Sequence, residues 1–235
     1  MCTGMCQHRS VPRLRVLTYN IWMGGRRATW LRDCVREAAP DVLLVNESPK
    51  TPLLWRGRCR RLADEWGMRY VAGGRDAGSN MILVVPGISV KSSHVTTLRQ
   101  PLFQPRRGIA AAQLRVRGSL VGVVSCHLSL EADRRAREVE RVIEVAGRLR
   151  GTVLIGGDLN EKPGGPSWRR LREAGYADHG SKAWPTFPAD VPVKRIDALL
   201  VRGGAPVSHH GDPGVDDALQ ARASDHRAVL AVLDI

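Results

Sequence analysis

The sequence is short of most features that would mark a specialised scaffold. Cysteine is scarce: five of 235 residues (Cys2, Cys6, Cys34, Cys59, Cys126), an odd number at irregular spacing. They outline no disulfide framework, and a reducing compartment is expected. Cys2 and Cys6 have no second Cys or His pair at zinc-site spacing, which argues against a structural zinc. No run approaches the roughly 18 apolar residues of a membrane-spanning helix. Met1–Arg9 lacks the apolar core of a secretory signal, so a cytoplasmic protein is expected. Aromatic residues make up only 5%, with no run interleaved with Arg as a single-strand stacking platform. Repeats and low-complexity linkers are absent too, which leaves residues 1–10 as a tail and 11–235 as one domain, expected to be a monomer.

Acidic residues are outnumbered, 23 Asp+Glu against 36 Lys+Arg, for a formal charge of +13. Arg exceeds Lys 31 to 5, as expected of a GC-rich coding genome. The charge still favours anionic partners in general, without selecting nucleic acid among them.

Strand and helix signals alternate. Leu14–Tyr19 and the fully apolar Asp41–Asn46 read as strands, Ala28–Ala39 and Pro52–Trp66 as helices. Met81–Val85, Val90–Leu98, Ile109–Val116 and Leu120–His127 read as an antiparallel meander. The stripe Ala132, Ala136, Val139, Ile143, Ala146, Leu149 is an amphipathic helix. Thr152–Gly156 is a buried strand, Ser167–Glu173 a short basic helix, and Ile196–Val201, Val207–His210 and Ala228–Leu233 are closing strands. Helices outside two stacked sheets are the expected arrangement.

Polar residues then fall where packing would not choose them, at strand ends: Asn20, Glu47, His127, Asp158 with Asn160, Asp197, and Asp225 with His226. Each alone could be a turn or cap residue; six such sites together are hard to assign to turns. Glu47, Asp158 and Asp225 with the amide oxygens of Asn20 and Asn160 form an oxygen-rich set suited to Mg²⁺ or Mn²⁺ rather than zinc. His127 and His226 suit phosphate binding and proton transfer, with Asp197 orienting an imidazole.

The motifs LTYN (Leu17–Asn20), Asn46-Glu47, SCHL (Ser125–Leu128), GGDLNEKP (Gly156–Pro163), RIDALLV (Arg195–Val201) and SDHRAV (Ser224–Val229), in this order, resemble the endonuclease/exonuclease/phosphatase superfamily, the deoxyribonuclease I-like fold, in a small bacterial form. The resemblance spans Leu14 to the C-terminus. It implies a four-layer α/β/β/α sandwich of two mixed sheets with the active site at one edge. It implies Glu47 as principal metal ligand with Asn20 beside it, and Asp225 as a second metal-side carboxylate. Asp158 would orient or deprotonate the attacking water, Asn160 and His127 would contact phosphate, and Asp197 and His226 would form an Asp–His pair. Whether one metal or two act, and which group takes the proton, stays open.

Two departures stand out. Asn46 replaces the Gln usual before the glutamate. The stretch Gly74–Met81, where many members keep a Tyr or second acid, offers Asp76, Ser79 and Asn80. Arg107 could contact phosphate or be a solvated turn residue.

The reaction implied is metal-assisted in-line attack of water on phosphorus. Nucleic acid, DNA or RNA, is the first substrate class, supported by the charge and the basic helix Arg169-Arg170-Arg172. A small or lipid phosphate of the inositol phosphate or sphingomyelin type is the second; a lipid-active member would expose an apolar hairpin, and none is evident. A non-catalytic phosphate- or nucleic-acid-binding module is the third, although it would have lost one of Glu47, Asp158, Asp225 or His226. His209, His210 and the acidic Asp212–Asp217 read as a surface loop rather than a metal site.

Overall fold

The computed structural model describes residues 13–24, 28–101, 104–180 and 184–235. The tail expected over residues 1–10, with Cys2 and Cys6, lies outside the described residues.

Eleven strands form two sheets. Six belong to the first: β1 (Arg13–Asn20), β2 (Val42–Asn46), β3 (Arg69–Gly74), β4 (Asn80–Val84), β10 (Val207–Gly211) and β11 (Val229–Asp234). They lie in the order β10-β11-β1-β2-β4-β3. The second sheet holds β5 (Ser89–Leu98), β6 (Arg107–Val116), β7 (Ser119–His127), β8 (Thr152–Asp158) and β9 (Asp197–Arg202), in chain order. Each sheet contains one parallel pair, β1 with β2 and β7 with β8; the remaining pairings are antiparallel.

Three apolar layers show why these segments stack. Alternation along β1 sends Leu14 and Val16 to one face and Leu17 and Tyr19 to the other. The first pair joins Leu44, Ile82, Leu114, Val121, Leu154 and Leu199 between the sheets. The second meets Leu31 and Val35 of α1 (Ala28–Ala38), Cys59 and Leu62 of α2 (Trp55–Glu65), and Ala223 of α5 (Asp217–Ala223). On the outer face of the second sheet, Val139 and Val142 of α3 (Ala132–Gly147) and Trp168 and Leu171 of α4 (Pro166–Glu173) cover Ile109, Val124, Ile155 and Leu200. Central strands covered on both faces are apolar throughout, as VLLVN of β2 is. The result is the four-layer α/β/β/α sandwich.

Two expectations need correction. The strand at Met81–Val85 is not part of the meander. As β4 it crosses to the other sheet and pairs with β2 and β3, leaving β5-β6-β7 as the meander. Asp216 and Asp217 are not simple loop residues. Asp216 caps α5 by accepting the Leu219 N–H at 2.9 Å, and Asp217 pairs with Arg227. His209 and His210 lie on β10, with their Nε2 atoms on the backbone carbonyls of Asp212 and Leu199. No described helix is long and apolar enough to cross a membrane.

Candidate active site

β1, β2, β7 and β8 run the same way, so their C-terminal ends share one edge of the sandwich. In-register pairing sets Asn20 against Asn46 and His127 against Asp158. Antiparallel β9 begins there, with Asp197 opposite Asp158, and the turn before β11 delivers Asp225 and His226. Strand register is thus what gathers residues separated by up to two hundred positions.

Asp158 Oδ2 is the hub. It lies 3.3 Å from His127 Nε2, 3.3 Å from Asn20 Nδ2 and 3.8 Å from His226 Nε2. Its Oδ1 accepts the Asn160 N–H at 2.9 Å. Burial raises the Asp158 pKa, and the charge of Asp197 raises it further, against the lowering effect of His226. His226 Nδ1 donates to Asp197 Oδ2 at 2.9 Å. Burial alone would depress this imidazolium, but Asp197, Asp158 and Asp225 outweigh it and push its pKa up to about 10. The tilted Phe187 ring, 4.9 Å from the imidazole, covers one side. His127 goes the other way: burial, then the cations Arg107, His226 and Lys50, hold it neutral. Its Nε2 lies 3.1 Å from Asn160 Nδ2, while its buried Nδ1 has no partner among the described residues. Two histidines on one carboxylate therefore sit in opposite charge states.

The expected metal side fits a hard cation. Glu47, in the left-handed region at φ 54°, faces the cavity and makes no ion pair among the described residues. Its one hydrogen bond is a long 3.5 Å contact from Asn20 Nδ2, which also faces Asp158. Among the described residues the Asp225 carboxylate has only Ser224 Oγ, at 3.4 Å, and Ser224 Oγ in turn donates to the Asn20 carbonyl. In a chain of charge +13, carboxylates without ion pairs are the ligands a divalent cation would take, and the Asn20 amide would join them through Oδ1, which here accepts the Trp22 N–H. The buried trio Asp158, Asp197 and His226 also converges, with ligand atoms within 4.8 Å of one another. There, however, the His226 imidazolium itself supplies the positive charge.

The cluster forms the floor of a cavity of about 810 Å³. Lys50, Arg75, Arg106, Arg107, Lys162 and Lys194 stand around its walls and mouth. Half-buried Arg107 has no hydrogen bond or ion pair among the described residues; burial lowers its pKa while Glu138, Asp158 and Glu47 hold it up. Arg169, Arg170 and Arg172 of α4 do not line this cavity, and Arg170 is engaged by Glu140.

Sequence reasoning missed a second tier. Asn46 bridges the sheets: its Nδ2 donates to Asn80 Oδ1 at 2.7 Å and the Cys126 carbonyl at 2.9 Å, and its Oδ1 accepts the Asp158 N–H at 3.0 Å. The shorter amide thus reaches its partners. Thr186 Oγ1 accepts the backbone N–H groups of Ile196 and Asp197. In the sequence Asn46 stands out only as the shorter replacement for the usual Gln, and Thr186 carries no signal of its bonds. Asp76 turns outward to Arg56, and Asn80 is structural, donating to the carbonyls of Ala77 and Gly108.

Comparison with known proteins places this geometry. The sequence pattern of the Endonuclease/Exonuclease/phosphatase family matches residues 17–226. No curated protein matches the chain significantly. Among solved structures, an endonuclease/exonuclease/phosphatase from Bacteroides vulgatus is similar at 15% identity and a TM-score of 0.75, covering 95% of this chain and 99% of that one. The mannosyl-6-phosphatase Bt3783 of Bacteroides thetaiotaomicron matches at 16% identity and TM-score 0.76, with 94% and 100% covered. TDP2 of D. rerio, complexed with a single-strand DNA product, matches at 14% and 0.71, with 95% and 99% covered.

Proposed function

The chain belongs to the endonuclease/exonuclease/phosphatase family, a family of phosphoester hydrolases, and from that premise we propose that it is a divalent-metal-dependent phosphodiesterase. The observation that carries this reading is the Asp158 hub: a carboxylate with a raised pKa between a neutral and a cationic histidine, beneath an unpartnered arginine.

Asn20, Glu47 and Asp225 would hold Mg²⁺ or Mn²⁺, which when bound supplies positive charge against a phosphoryl oxygen. Asp158 Oδ2 aligns a water and takes its proton, a role its upward-shifted pKa suits. The water oxygen forms the new bond to phosphorus, the opposite P–O bond breaks, and the leaving oxygen departs with the bonding pair. The His226 imidazolium, fixed by Asp197, meets charge on the phosphoryl group. His127, Asn160 and Arg107 hold the remaining oxygens.

The +13 charge and the cationic mouth favour a phosphodiester set in a polyanion, and a DNA or RNA strand is the first such substrate. The relatives named above span a sugar phosphatase and a protein bound to a DNA product, so the substrate has to be measured. The test is hydrolysis of bis-p-nitrophenyl phosphate and of supercoiled plasmid, with Mg²⁺, Mn²⁺ or EDTA, by wild type and Asp158→Ala. Metal-dependent diester cleavage abolished by the substitution is expected; cleavage that survives it rejects the proposed hub. Plasmid nicking would favour nucleic acid, and an intact plasmid would move the substrate elsewhere.

A further inference from the structure

The basic helix that the sequence offers to a polyanion, α4, does not line the catalytic cavity, but a different set of arginines gathers beside it. A second cavity, of about 620 Å³, opens between the segment after β5 and the face of α3. Arg99 lines it from the first side, and Arg134, Arg137 and Arg141 from the second. The last three stand at i, i+3 and i+7 of α3, so they form one stripe along the helix. From Arg134 to Arg141 that stripe runs about 10 Å.

These four arginines meet a single carboxylate in the groove, Glu138, and it is already engaged. Its Oε1 accepts Ser129 Oγ at 2.7 Å and Gln100 Nε2 at 2.8 Å, and its Oε2 accepts the Ser129 N–H at 2.7 Å. Arg134 reaches Glu131 at 3.3 Å and Arg141 pairs with Glu144, both surface pairs weak enough for an arriving phosphate to displace. The Arg99 and Arg137 side chains are exposed and make no hydrogen bond or ion pair among the described residues. Guanidinium groups gathered around one engaged carboxylate repel one another until an anion neutralises them. Gln100 adds a group of another kind. Its Oε1 is buried without a partner among the described residues, an acceptor that a phosphate oxygen leaves idle and a base amino group or ribose hydroxyl would meet.

The groove adjoins the chemistry. Leu98, on its wall, pairs in register with Arg107, which lines the catalytic cavity. Leu130 lines that cavity too, and Arg134 follows it by four residues. Among the charges that hold up the Arg107 guanidinium, Glu138 comes first, ahead of Asp158 and Glu47. Arg107 thus stands between the two cavities and joins their cationic linings.

We infer that this groove holds a flank of the substrate strand: from the phosphate over Asp158 the backbone passes Arg107, and its next phosphates lie on Arg99, Arg134, Arg137 and Arg141. The inference rests on the reading of the substrate as a nucleic-acid strand and gives that strand a path. Contacts of this kind add affinity without reading sequence.

The test is fluorescence anisotropy of a mixed-sequence single-stranded DNA oligonucleotide over a salt series, in EDTA so that nothing is cleaved. Wild type is compared with Arg99→Gln/Arg137→Gln and with a control of equal charge, Arg36→Gln/Arg60→Gln, on the helices that cover the first sheet. All four side chains are exposed, so melting temperatures should hold. The groove variant should bind roughly tenfold more weakly, and the slope of log affinity against log salt should shrink by about 1.4, for two phosphate contacts at about 0.7 each. The control should lose less than about threefold, because distant surface charges are screened. Arg99→Lys with Arg137→Lys should keep most of the affinity, since Lys still meets phosphate as a point charge. The inference is overturned if the groove variant matches the control in affinity and slope, or if the lysine variant loses as much as the glutamine one. If wild type neither binds the oligonucleotide nor nicks plasmid, the nucleic-acid reading falls and the inference with it. Cleavage of bis-p-nitrophenyl phosphate, which has no flanking phosphates, by wild type and Asp158→Ala reads the hydrolase assignment separately.

Discussion

At the end of the sandwich away from the cavity, charged groups close on one another in ordinary ways, and the unpartnered buried atoms there, Trp66 Nε1 and Tyr176 Oη, belong to aromatic side chains. Arg15 donates from Nε and Nη2 to the Ala38 carbonyl and from Nε to Ala39, and its N–H meets Asp41 Oδ2 at 2.8 Å. Arg13 pairs with Asp234. At the cavity end the accounting is left open. Among the described residues His127 Nδ1 and Asp197 Oδ1 are buried without partners, Glu47 and Arg107 make no ion pair, and Asp158 and His226 are pushed far from their usual pKa values. Backbone strain divides the same way. Of the eight described non-glycine residues at positive φ, Trp22, Met23, Glu47, Leu53, Ser79 and Asn160 lie at the cavity end, and Ala39 and Arg117 at the other. One fold thus keeps a relaxed end that supplies stability and a strained end that supplies chemistry.

Asp158→Ala should break this division most sharply. Diester hydrolysis should fall about 10²–10³-fold or more, while the melting temperature in EDTA should hold or rise, because a buried carboxylate beside Asp197 is removed. Gly151→Ala should do the reverse at the relaxed end. Gly151 lies at φ 76°, where a Cβ would sit 2.0 Å from the Leu120 carbonyl oxygen, so a loss of about 3 kcal/mol or more by urea denaturation is expected with kcat unchanged in the folded fraction.

The pH response in EDTA should report the strained end. With its pKa near 10, His226 contributes stability that is whole below the ordinary imidazole value of 6.5 and lost as pH rises through about 10. Asp158, with its pKa raised to about 7, acts in the same direction at lower pH, its share being lost as pH rises from the ordinary carboxylate value to about 7. Melting temperature should therefore fall from about pH 7 to about pH 10, and Asp197→Asn should flatten that fall. An equal slope in the variant would remove His226 from the account. The smallest effect is Leu53→Gly, which relieves a positive φ at an exposed site and should stabilise by up to about 1 kcal/mol without changing soluble diester hydrolysis.

The sequence made the strained end legible for a physical reason. A polar or charged residue at the end of an apolar strand has no packing rationale, so Asn20, Glu47, His127, Asp158, Asp197, Asp225 and His226 stand out as a set though none does alone, and register brings them to one edge. What stayed hidden depended on distant partners. Asn46 reads as a strand end in place of the usual Gln, and its bridging shows only when Asn80 and Cys126, 34 and 80 positions away, arrive beside it. β3 was unreadable because RYVAGG has little apolar alternation, and α5 because its seven residues are too short for a stripe. β4 was misplaced because neighbours in sequence usually pair, and here the chain changes sheet. An apolar hairpin, not evident in the sequence because Pro192 interrupts Val191 and Val193, forms where backbone bonds between Phe187 and Lys194 close it and leave both valines exposed.

The Asn46 bridge has a mechanical consequence. Its amide is bonded at once to the first sheet, through Asn80, and to the second, through the Cys126 carbonyl and the Asp158 N–H. Stacked sheets can slide past one another like two boards, and this amide is a pin driven through both beside the cavity. Sliding is resisted at that edge, because it would break all three bonds. The turn at Arg117-Gly118 lies at the opposite end, so a tag or a guest domain inserted at it should leave the pinned edge in register.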